Sequence, residues 1–296
     1  MNNPKIGIVL VNYNGKKYQA DCINTISHST YKNYMIIVVD SGSSDGSVEE
    51  LRNSFNEIRI LEMHQNVGVA KGNNIGIKYA LENGCDYVLL LNNDTEVDQY
   101  MLERLVDNAS SKVITVPKIY YYNNKKMLWF AGGEIDWHRG FTIHYGDKEM
   151  DNGKYNEKTF INYAPTCCML VHKSIFNSIG LMDESYFMYY DDTDFCARVN
   201  NGGYQIKFIP SSIMWHKVSS SSGGEDSPTI LYYATRNRIY FINKFKSKTV
   251  TAKVYFYLTR LFKIIWWFCN RKYTKIRILL NAIKDYKKNN MGISSN

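Results

Sequence analysis

Short apolar runs alternate with amphipathic segments through the first third of the chain, which predicts strands and helices in turn. Lys5 to Val11 (KIGIVLV) is rich in β-branched residues and ends in a turn at Asn12 to Gly15. Lys17 to Ser29 carries apolar residues at helical spacing, and Met35 to Val39 is a second strand ending at Asp40. The polar turn Ser41 to Ser47 leads to a short helix, then a third strand at Ile58 to Met63. Val67 to Asn83 reads as a helix stopped by Gly84, and Tyr87 to Leu91 as a fourth strand ending at Asn92, Asn93 and Asp94. The strands are almost continuously apolar, as expected when helices cover both faces of a parallel sheet. Such sheets take ligands beyond the carboxyl ends of their strands, and the polar residues cluster there.

Beyond this point the pattern is less regular. Ile114 to Lys118 predicts a strand, and residues 121–160 predict hairpins and loops. Thr166 to Val171 predicts a strand followed by a short helix that Gly180 ends. In MDESYFMYYDDTDFCARV (182–199), Asp191 or Asp192 is the expected N-cap of a helix running to about Asn200. Gln205 to Ile209 is a last strand, Trp215 and His216 close a strand end, residues 219–224 (SSSSGG) form a loop, and the chain is helical from Pro228 onward.

Composition and charge narrow the class. A hydrophobic fraction of 45% is ample for a sizeable core, and 24 tyrosines suit sugar-facing or interfacial surface and equally a biased genome. The six cysteines (Cys22, Cys85, Cys167, Cys168, Cys196 and Cys269) form no C-x-x-C pair and are expected to be reduced core thiols. No secretory h-region opens the chain, and no run reaches the roughly 18 apolar residues of a spanning helix. The net charge is +8, but Lys244 to Lys288 alone holds 13 Lys/Arg against Asp285, a sum of +12, which leaves −4 for the rest. The basic excess therefore belongs to a tail, residues 244–296, and is no property of residues 1–243. Within the tail, Lys253, Arg260 and Lys263 share one helical face of Val250 to Phe268, and Tyr255, Phe256, Leu258, Phe262, Ile265, Trp266 and Phe268 are expected on the others. Basic side chains opposite aromatics predict a helix lying on an anionic membrane surface, with packing on the body or on a second subunit as the alternative. Nucleic acid is a poorer partner for basic residues so interleaved with large apolar ones.

The candidate chemistry is acidic. Asp94 ends an apolar strand, where an isolated charge is costly. Either it caps the next helix or it holds a divalent cation with substrate phosphates. Asp191, Asp192 and Asp194 suit a helix N-terminus, but three acids beside Phe187 to Tyr190 also suit a general base with a raised pKa. His216 reads as structural unless it joins Asp94 in binding a metal or diphosphate. Arg236 and Arg238 read as surface pairing or as phosphate contacts.

In order and character, seven segments resemble a family 2 inverting glycosyltransferase with the GT-A fold, of the rhamnosyltransferase-like and galactofuranosyltransferase-like branch. They are VNYNG (11–15), VDSGSSDGS (39–47), NVGVAKGNNIG (66–76), LLNNDT (90–95), the long stretch 168–199, WHK (215–217) and RNR (236–238). The resemblance covers residues 5–243 and implies an α/β fold, a Rossmann-like, mixed and mostly parallel sheet flanked by helices, with a C-terminal helical extension. It divides residues 1–243 into a nucleotide-binding half (1–110) and an acceptor and catalytic half (111–243). It implies that Val11 and Tyr13 line the nucleotide pocket and that Asp40 bonds the pyrimidine. Asn66, Gly68, Lys71, Asn73 and Asn74 would shape the ribose and diphosphate side, with Asn92, Asn93, Arg236 and Arg238 also on the donor. Asp94 and His216 would hold Mg²⁺ or Mn²⁺, Asp192 would be the catalytic base, and Asp191 would position the acceptor. Two positions depart from the family pattern: Asn92 replaces the first acid of Asp-x-Asp, and Asp191 is one methylene shorter than the family's Glu.

The activity so implied is transfer of a sugar from dTDP-rhamnose or a UDP-sugar to a lipid-linked or cell-surface polysaccharide, by a cytoplasmic protein peripheral on the inner face of the membrane and able to form homo-oligomers. The rival from another class is a catalytically silent nucleotide- or glycan-binding scaffold, which Asn92 favours and the retained Asp94, Asp192 and His216 oppose. A sugar nucleotidyltransferase is disfavoured by NYNGKKY after the first strand, and a dinucleotide-binding dehydrogenase by the lack of G-x-G-x-x-G there.

Overall fold

The apolar runs of the first half pair with one another, as their alternation with helices predicts. In the computed structural model, which describes residues 3–157, 159–218 and 227–294, the chain begins with β1 (Ile6–Asn12), α1 (Lys16–Ser27), β2 (Tyr34–Asp40), α2 (Ser47–Ser54), β3 (Arg59–Glu62), α3 (Val69–Glu82) and β4 (Tyr87–Asn92). It continues through β5 (Thr95–Val97), α4 (Met101–Asn108), β6 (Val113–Tyr121), β7 (Asn124–Phe130), β8 (Gly133–Asp136), β9 (Phe141–His144), β10 (Phe160–Ile161), β11 (Cys168–His172) and α5 (Lys173–Ile179). The last third holds α6 (Asp191–Asn201), β12 (Gln205–His216), α7 (Pro228–Lys244), α8 (Val250–Cys269) and α9 (Tyr273–Lys287). The predicted 219–224 loop lies outside the described residues.

The main sheet has the order β10-β12-β6-β11-β4-β1-β2-β3. Its three longest ladders, β12/β6, β1/β2 and β1/β4, are parallel, and β11 enters antiparallel between β4 and β6. Central strands are buried on both faces, which explains their unbroken apolar runs: Ile8, Val9, Val88, Leu89, Leu90 and Leu170 are 0% exposed. α3 lies directly on β1. A Cβ on its Gly76 would stand 2.2 Å from Val9 Cγ1, so only glycine permits this spacing.

Register sets the functional edge. Asn12 pairs with Asp40, Asp40 with Glu62, and Val11 with Asn92, which lines up the polar ends of β1, β2, β3 and β4. Antiparallel β11 starts opposite Leu91, so Cys167 just before it reaches the same edge. His216 ends β12 opposite Thr95, next to Asp94.

Several sequence expectations are corrected. The last strand does not stop at Ile209; it continues to His216 past an irregularity between Ile209 and Ile213, where Pro210 has no amide hydrogen to donate. Neither Asp191 nor Asp192 is the N-cap: Tyr190 is, at φ 71°, and Asp191 is the first helical residue. Cys269 is exposed and is no core thiol, while the other five cysteines are buried and all six are free. Hairpins do fill the middle segment, as β6–β7 and β8–β9.

The C-terminal helices pack on the body. Ala252 and Phe256 of α8 join Ile239 and Ile242 of α7 in a small core flanked by Ile283 and Tyr286 of α9. Phe256 thus shares the face of Arg260 and Lys263, and is not opposite them as the sequence reading has it. The outward stripe of α8 is apolar, with Val254, Leu258, Leu261, Phe262 and Ile265 between 51% and 69% exposed. Among the described residues no helix is long and apolar enough to cross a membrane.

The first turn of α6 is fixed by a buried carboxylate. Asp194 is 0% exposed and pairs with Arg198 Nε at 2.7 Å and Lys244 Nζ at 2.6 Å. Arg198 also donates to the carbonyls of Ile179 and Leu181, each at 2.8 Å. Arg198→Met removes these bonds and strands part of the Asp194 charge. Urea unfolding should show a loss of about 3–5 kcal/mol; a loss within about 0.5 kcal/mol, as at an ordinary surface position, would show that Lys244 alone suffices.

Candidate active site

Two acidic clusters approach the sheet edge from opposite ends of the sequence. The first sits at the end of β4. Asp94 is 9% exposed and its Oδ1 is 3.1 Å from His216 Nε2. Burial works against a charge on His216, and the neighbouring Cys167 sulfur and the Asp94 carboxylate outweigh it, pushing the imidazole up to about 10. Burial raises the Cys167 thiol itself. The second cluster opens α6. Asp192 Oδ2 accepts from the Tyr163 hydroxyl at 2.8 Å, and Oδ1 accepts from Thr193 N at 2.6 Å and Thr193 Oγ1 at 3.1 Å. Asp192 remains partly accessible, whereas Asp191 is 4% exposed and its Oδ2 is buried without a hydrogen-bond partner.

An aromatic bridge joins the clusters. The Trp129 ring lies 4.6 Å from that of His216 and 4.9 Å from that of His144. His144 lies 5.6 Å from Tyr163, which holds Asp192. Asp94, His216, Trp129, His144, Tyr163 and Asp192 therefore form one continuous chain of contacts. Burial lowers the His144 pKa.

The chain around the acids is strained. Tyr189 and Tyr190 have φ of 63° and 71°, a region that bulky residues rarely adopt. The turn is held from outside by Asn237 Nδ2, which donates to the carbonyls of Met188 (2.8 Å) and Tyr189 (3.0 Å). It is held from below by Val69 N, which donates to Phe187 O at 2.8 Å. Gly68 permits this approach, since a Cβ there would stand 2.4 Å from that same carbonyl oxygen.

The remaining expected residues fall into three groups. Val11 flanks α3, Tyr13 is 49% exposed at the end of β1, and Lys71 is exposed in the first turn of α3, all at the functional edge. Asn93 Nδ2 donates to Asn12 Oδ1 at 2.8 Å, and Asn12 Nδ2 donates to Asp40 Oδ1 at 2.8 Å, so Asn12 couples the first and fourth strand ends. Asn92 anchors the edge through its backbone, its N–H donating to Cys167 O at 2.9 Å. Asn66 Oδ1 accepts from Gly68 N at 3.0 Å and shapes the start of α3, in which Asn73 is buried.

Three expectations change on inspection of the contacts. The Asp40 carboxylate accepts from Asn12, Ser43 Oγ (2.6 Å), Ser43 N (3.0 Å) and Gly42 N (3.1 Å). These four bonds fill its acceptor capacity, so it shapes the loop that receives a base and has no lone pair left for the base itself. Asn74 accepts from Met182 N and donates to Met182 O and Glu184, each at 2.9 Å, and pins the segment that leads to the 187–190 turn. Arg236 and Arg238 do not converge, because helical residues two apart point to nearly opposite sides. Arg236 lies over the Tyr232 and Tyr233 rings and donates to Asn290 O, while Arg238 faces Phe141, Tyr255 and Phe256 and donates to Arg139 O. Sequence reasoning passed over Trp129, His144 and Tyr163. Their one local signal is the alternation in KMLWF and FTIH, which marks strands without saying what they face.

The donor set suits a divalent cation bound with substrate phosphates. Asp94 supplies a hard carboxylate oxygen and His216, 3.1 Å from it, an imidazole nitrogen that would coordinate once deprotonated, and Mg²⁺ or Mn²⁺ sites commonly add diphosphate oxygens to so few protein ligands. Among the described residues no group of three or more His, Cys, Asp or Glu is arranged to hold a metal by itself.

An α/β sheet whose carboxyl edge presents a carboxylate–imidazole pair beside an accessible, hydrogen-bonded carboxylate is the GT-A architecture. The chain belongs to glycosyl transferase family 2, which it matches over residues 7–180. It is similar to a dTDP-rhamnosyl transferase of Shigella flexneri, 25% identical over 265 residues that cover 82% of this chain and 81% of the relative. An N-acetylglucosaminyl-diphospho-decaprenol L-rhamnosyltransferase of Mycobacterium tuberculosis is 23% identical over 240 residues, 73% of this chain and 77% of the relative. Among solved structures, GalNAc-T7 with UDP, GalNAc and Mn²⁺ superposes with a TM-score of 0.62 at 16% identity, over 81% of this chain and about half (48%) of that one.

Burial and the adjacent Asp192 push Asp191 up to about 8, against an ordinary value of 3.8. The folded protein then keeps a proton that the unfolded chain releases, so stability falls as pH rises from about 4 to about 8. Asp191→Asn removes that cost. Its melting temperature should exceed the parent's by more at about pH 8 than at about pH 5; a gain independent of pH would rule out a proton held at Asp191.

Proposed function

We propose that this chain is an inverting glycosyltransferase that moves a sugar from a pyrimidine nucleotide-diphosphate donor, dTDP-rhamnose or a UDP-sugar, to a hydroxyl of a lipid-linked or cell-surface polysaccharide. The observation that carries this reading is the single aromatic-bridged cluster containing both Asp94–His216 and Asp192. The rhamnosyltransferase names of two relatives favour a deoxyhexose donor.

Asp192 is the base of this reaction. Burial raises its pKa, while Tyr163 and Thr193 fix its orientation and offset part of that rise. An accessible carboxylate so placed takes the acceptor's hydroxyl proton as the oxygen attacks the anomeric carbon. Asp191, protonated and buried, adds no second full charge and backs the same turn. The attack is a single in-line displacement, so no covalent sugar–enzyme bond forms. Asp94 and His216 would hold Mg²⁺ or Mn²⁺, which neutralises charge on a departing diphosphate. The loop shaped by Asp40 and Asn12 receives the nucleotide, with Tyr13 at its rim and Lys71 on the phosphate side. The exposed apolar stripe of α8 beside the basic C-terminal segment supports a position on an anionic cytoplasmic membrane face, where a lipid-linked acceptor resides.

Asp192→Asn should cut turnover by about 10²- to 10⁴-fold while the melting-point rise on adding donor and Mn²⁺ is kept. Near-normal turnover in that variant, with Asp191→Asn inactive, would exchange the two roles; donor-independent melting in the parent would reject the transferase.

A further inference from the structure

The transfer chemistry leaves the two arginines of RNR (236–238) unused, yet the contacts of all three residues lead to the turn before Asp191. Asn237 Nδ2 gives one hydrogen to Met188 O and the other to Tyr189 O. These carbonyls belong to the two peptide groups that flank the Tyr189 Cα. Their relative direction is set by φ and ψ of that one residue, so an NH₂ group that binds both fixes it. Tyr189 is held at φ 63° and Tyr190 after it at 71°, where an unrestrained tyrosine rarely stays.

The amide must also face the right way. An asparagine side chain has the same shape with its nitrogen and oxygen exchanged, but the exchange would set Oδ1 against two carbonyl oxygens. Arg236 Nε donates to Asn237 Oδ1 at 3.1 Å, and a guanidinium can only donate, so the exchanged amide is excluded. Arg236 is 0% exposed, its Nη2 is buried without a hydrogen-bond partner, and among the described residues it forms no ion pair. Such a charge is costly to bury. The ring faces of Tyr232 and Tyr233 and the Asn290 carbonyl shelter it, and its one side-chain bond orients the amide. Arg238 works from the other side. It donates to Arg139 O at 2.6 Å, and the next carbonyl, Gly140 O, accepts from the Tyr190 hydroxyl at 3.0 Å.

We propose that Arg236 and Asn237 are positioning residues for the base: together they hold the left-handed Tyr189–Tyr190 turn and so fix where Asp192 stands. This rests on the transferase reading and gives that site a support outside it. Neither residue acts on the donor, so loss of the clamp falls on the attacking step and spares donor binding.

The test compares the full chain with its variants in Mn²⁺ and each of UDP-glucose, UDP-galactose, UDP-N-acetylglucosamine and dTDP-rhamnose. Water serves as acceptor, and release of the nucleoside diphosphate is followed. Asn237→Ala should lower kcat about 10- to 100-fold and leave KM within about twofold. Arg236→Met, which frees the amide to turn over, should lower kcat about tenfold. Adding Tyr189→Gly to Asn237→Ala should recover at least about fivefold, because glycine takes a positive φ without the clamp. Lost packing would not be mended by a second deletion. Hydrogen exchange reads the same turn without any substrate. The amides of Val69 and Asp194 donate to Phe187 O and Tyr190 O. Both should exchange about tenfold faster in Asn237→Ala, while Leu89 in β4 keeps its rate. Unchanged kcat in Asn237→Ala, no recovery with Tyr189→Gly, or unchanged exchange at both amides would overturn the positioning role. A parent that releases no nucleotide from any of the four donors, yet shows the exchange contrast, counts against the transferase reading alone.

Discussion

Everything at the functional edge is arranged around the cost of bringing buried carboxylates together. Asp94, Asp191, Asp192 and Asp194 are all removed from bulk water to some degree, and each would rather be solvated or protonated. The protein meets this cost differently at each position. Asp194 receives two fixed cations, Arg198 and Lys244, and serves the fold. Asp94 receives an imidazole able to carry charge. Asp191 keeps a proton. That leaves Asp192 as the carboxylate held by neutral donors, Tyr163 and Thr193, and still partly accessible. A strong cation beside Asp192 would have lowered its basicity, and no donor at all would have left it fully protonated. The division of labour among four similar side chains follows from their partners.

Topology makes this arrangement possible. The parallel half of the sheet brings the ends of β1, β2 and β4 into line, but a purely parallel sheet would supply ligands from that half only. Antiparallel β11 and long β12 return the chain to the same edge and deliver Cys167 and His216 beside Asp94. α6 then approaches through a turn with two left-handed tyrosines, a conformation that costs about 1–3 kcal/mol per residue. Asn237, Asn74 and the approach allowed by Gly68 hold that turn in place. The strained turn sets the partly accessible Asp192 at the very start of a helix, where the macrodipole favours its charge.

Much of this was legible in the sequence, and the reason is local. β1 to β4 and α1 to α3 follow from hydrophobic period and turn residues, which are properties of contiguous segments. The polar strand ends follow from the rule that such sheets bind at their carboxyl edge. Trp129, His144 and Tyr163 were not legible, because their role comes from contacts across the chain and their hairpins carry no special signal. Asp40 shows a subtler limit: its place at the edge could be read, but whether its oxygens face a ligand or its own loop depended on Asn12, Ser43 and Gly42 packing around it. Arg236 and Arg238 could have been separated beforehand, since two residues on one helix two apart cannot share a small ligand.

The tail shows how the same sequence pattern can carry opposite meanings. Lys253, Arg260 and Lys263 do lie near one face of α8, as their spacing requires. Spacing alone does not say which face meets the body, and a basic face directed at water is the usual solution for a helix on a membrane. Here Ala252, Phe256 and Trp267 share that face and are buried, which turns Arg260 inward and leaves the aliphatic stripe uncovered. Burying guanidinium groups while exposing Leu258, Leu261 and Phe262 reverses what folding of an isolated soluble domain would select. α7, which packs on this face of α8, also carries Asn237, whose amide donates to the carbonyls of Met188 and Tyr189, so the helix that seats the tail also clamps the turn before Asp191.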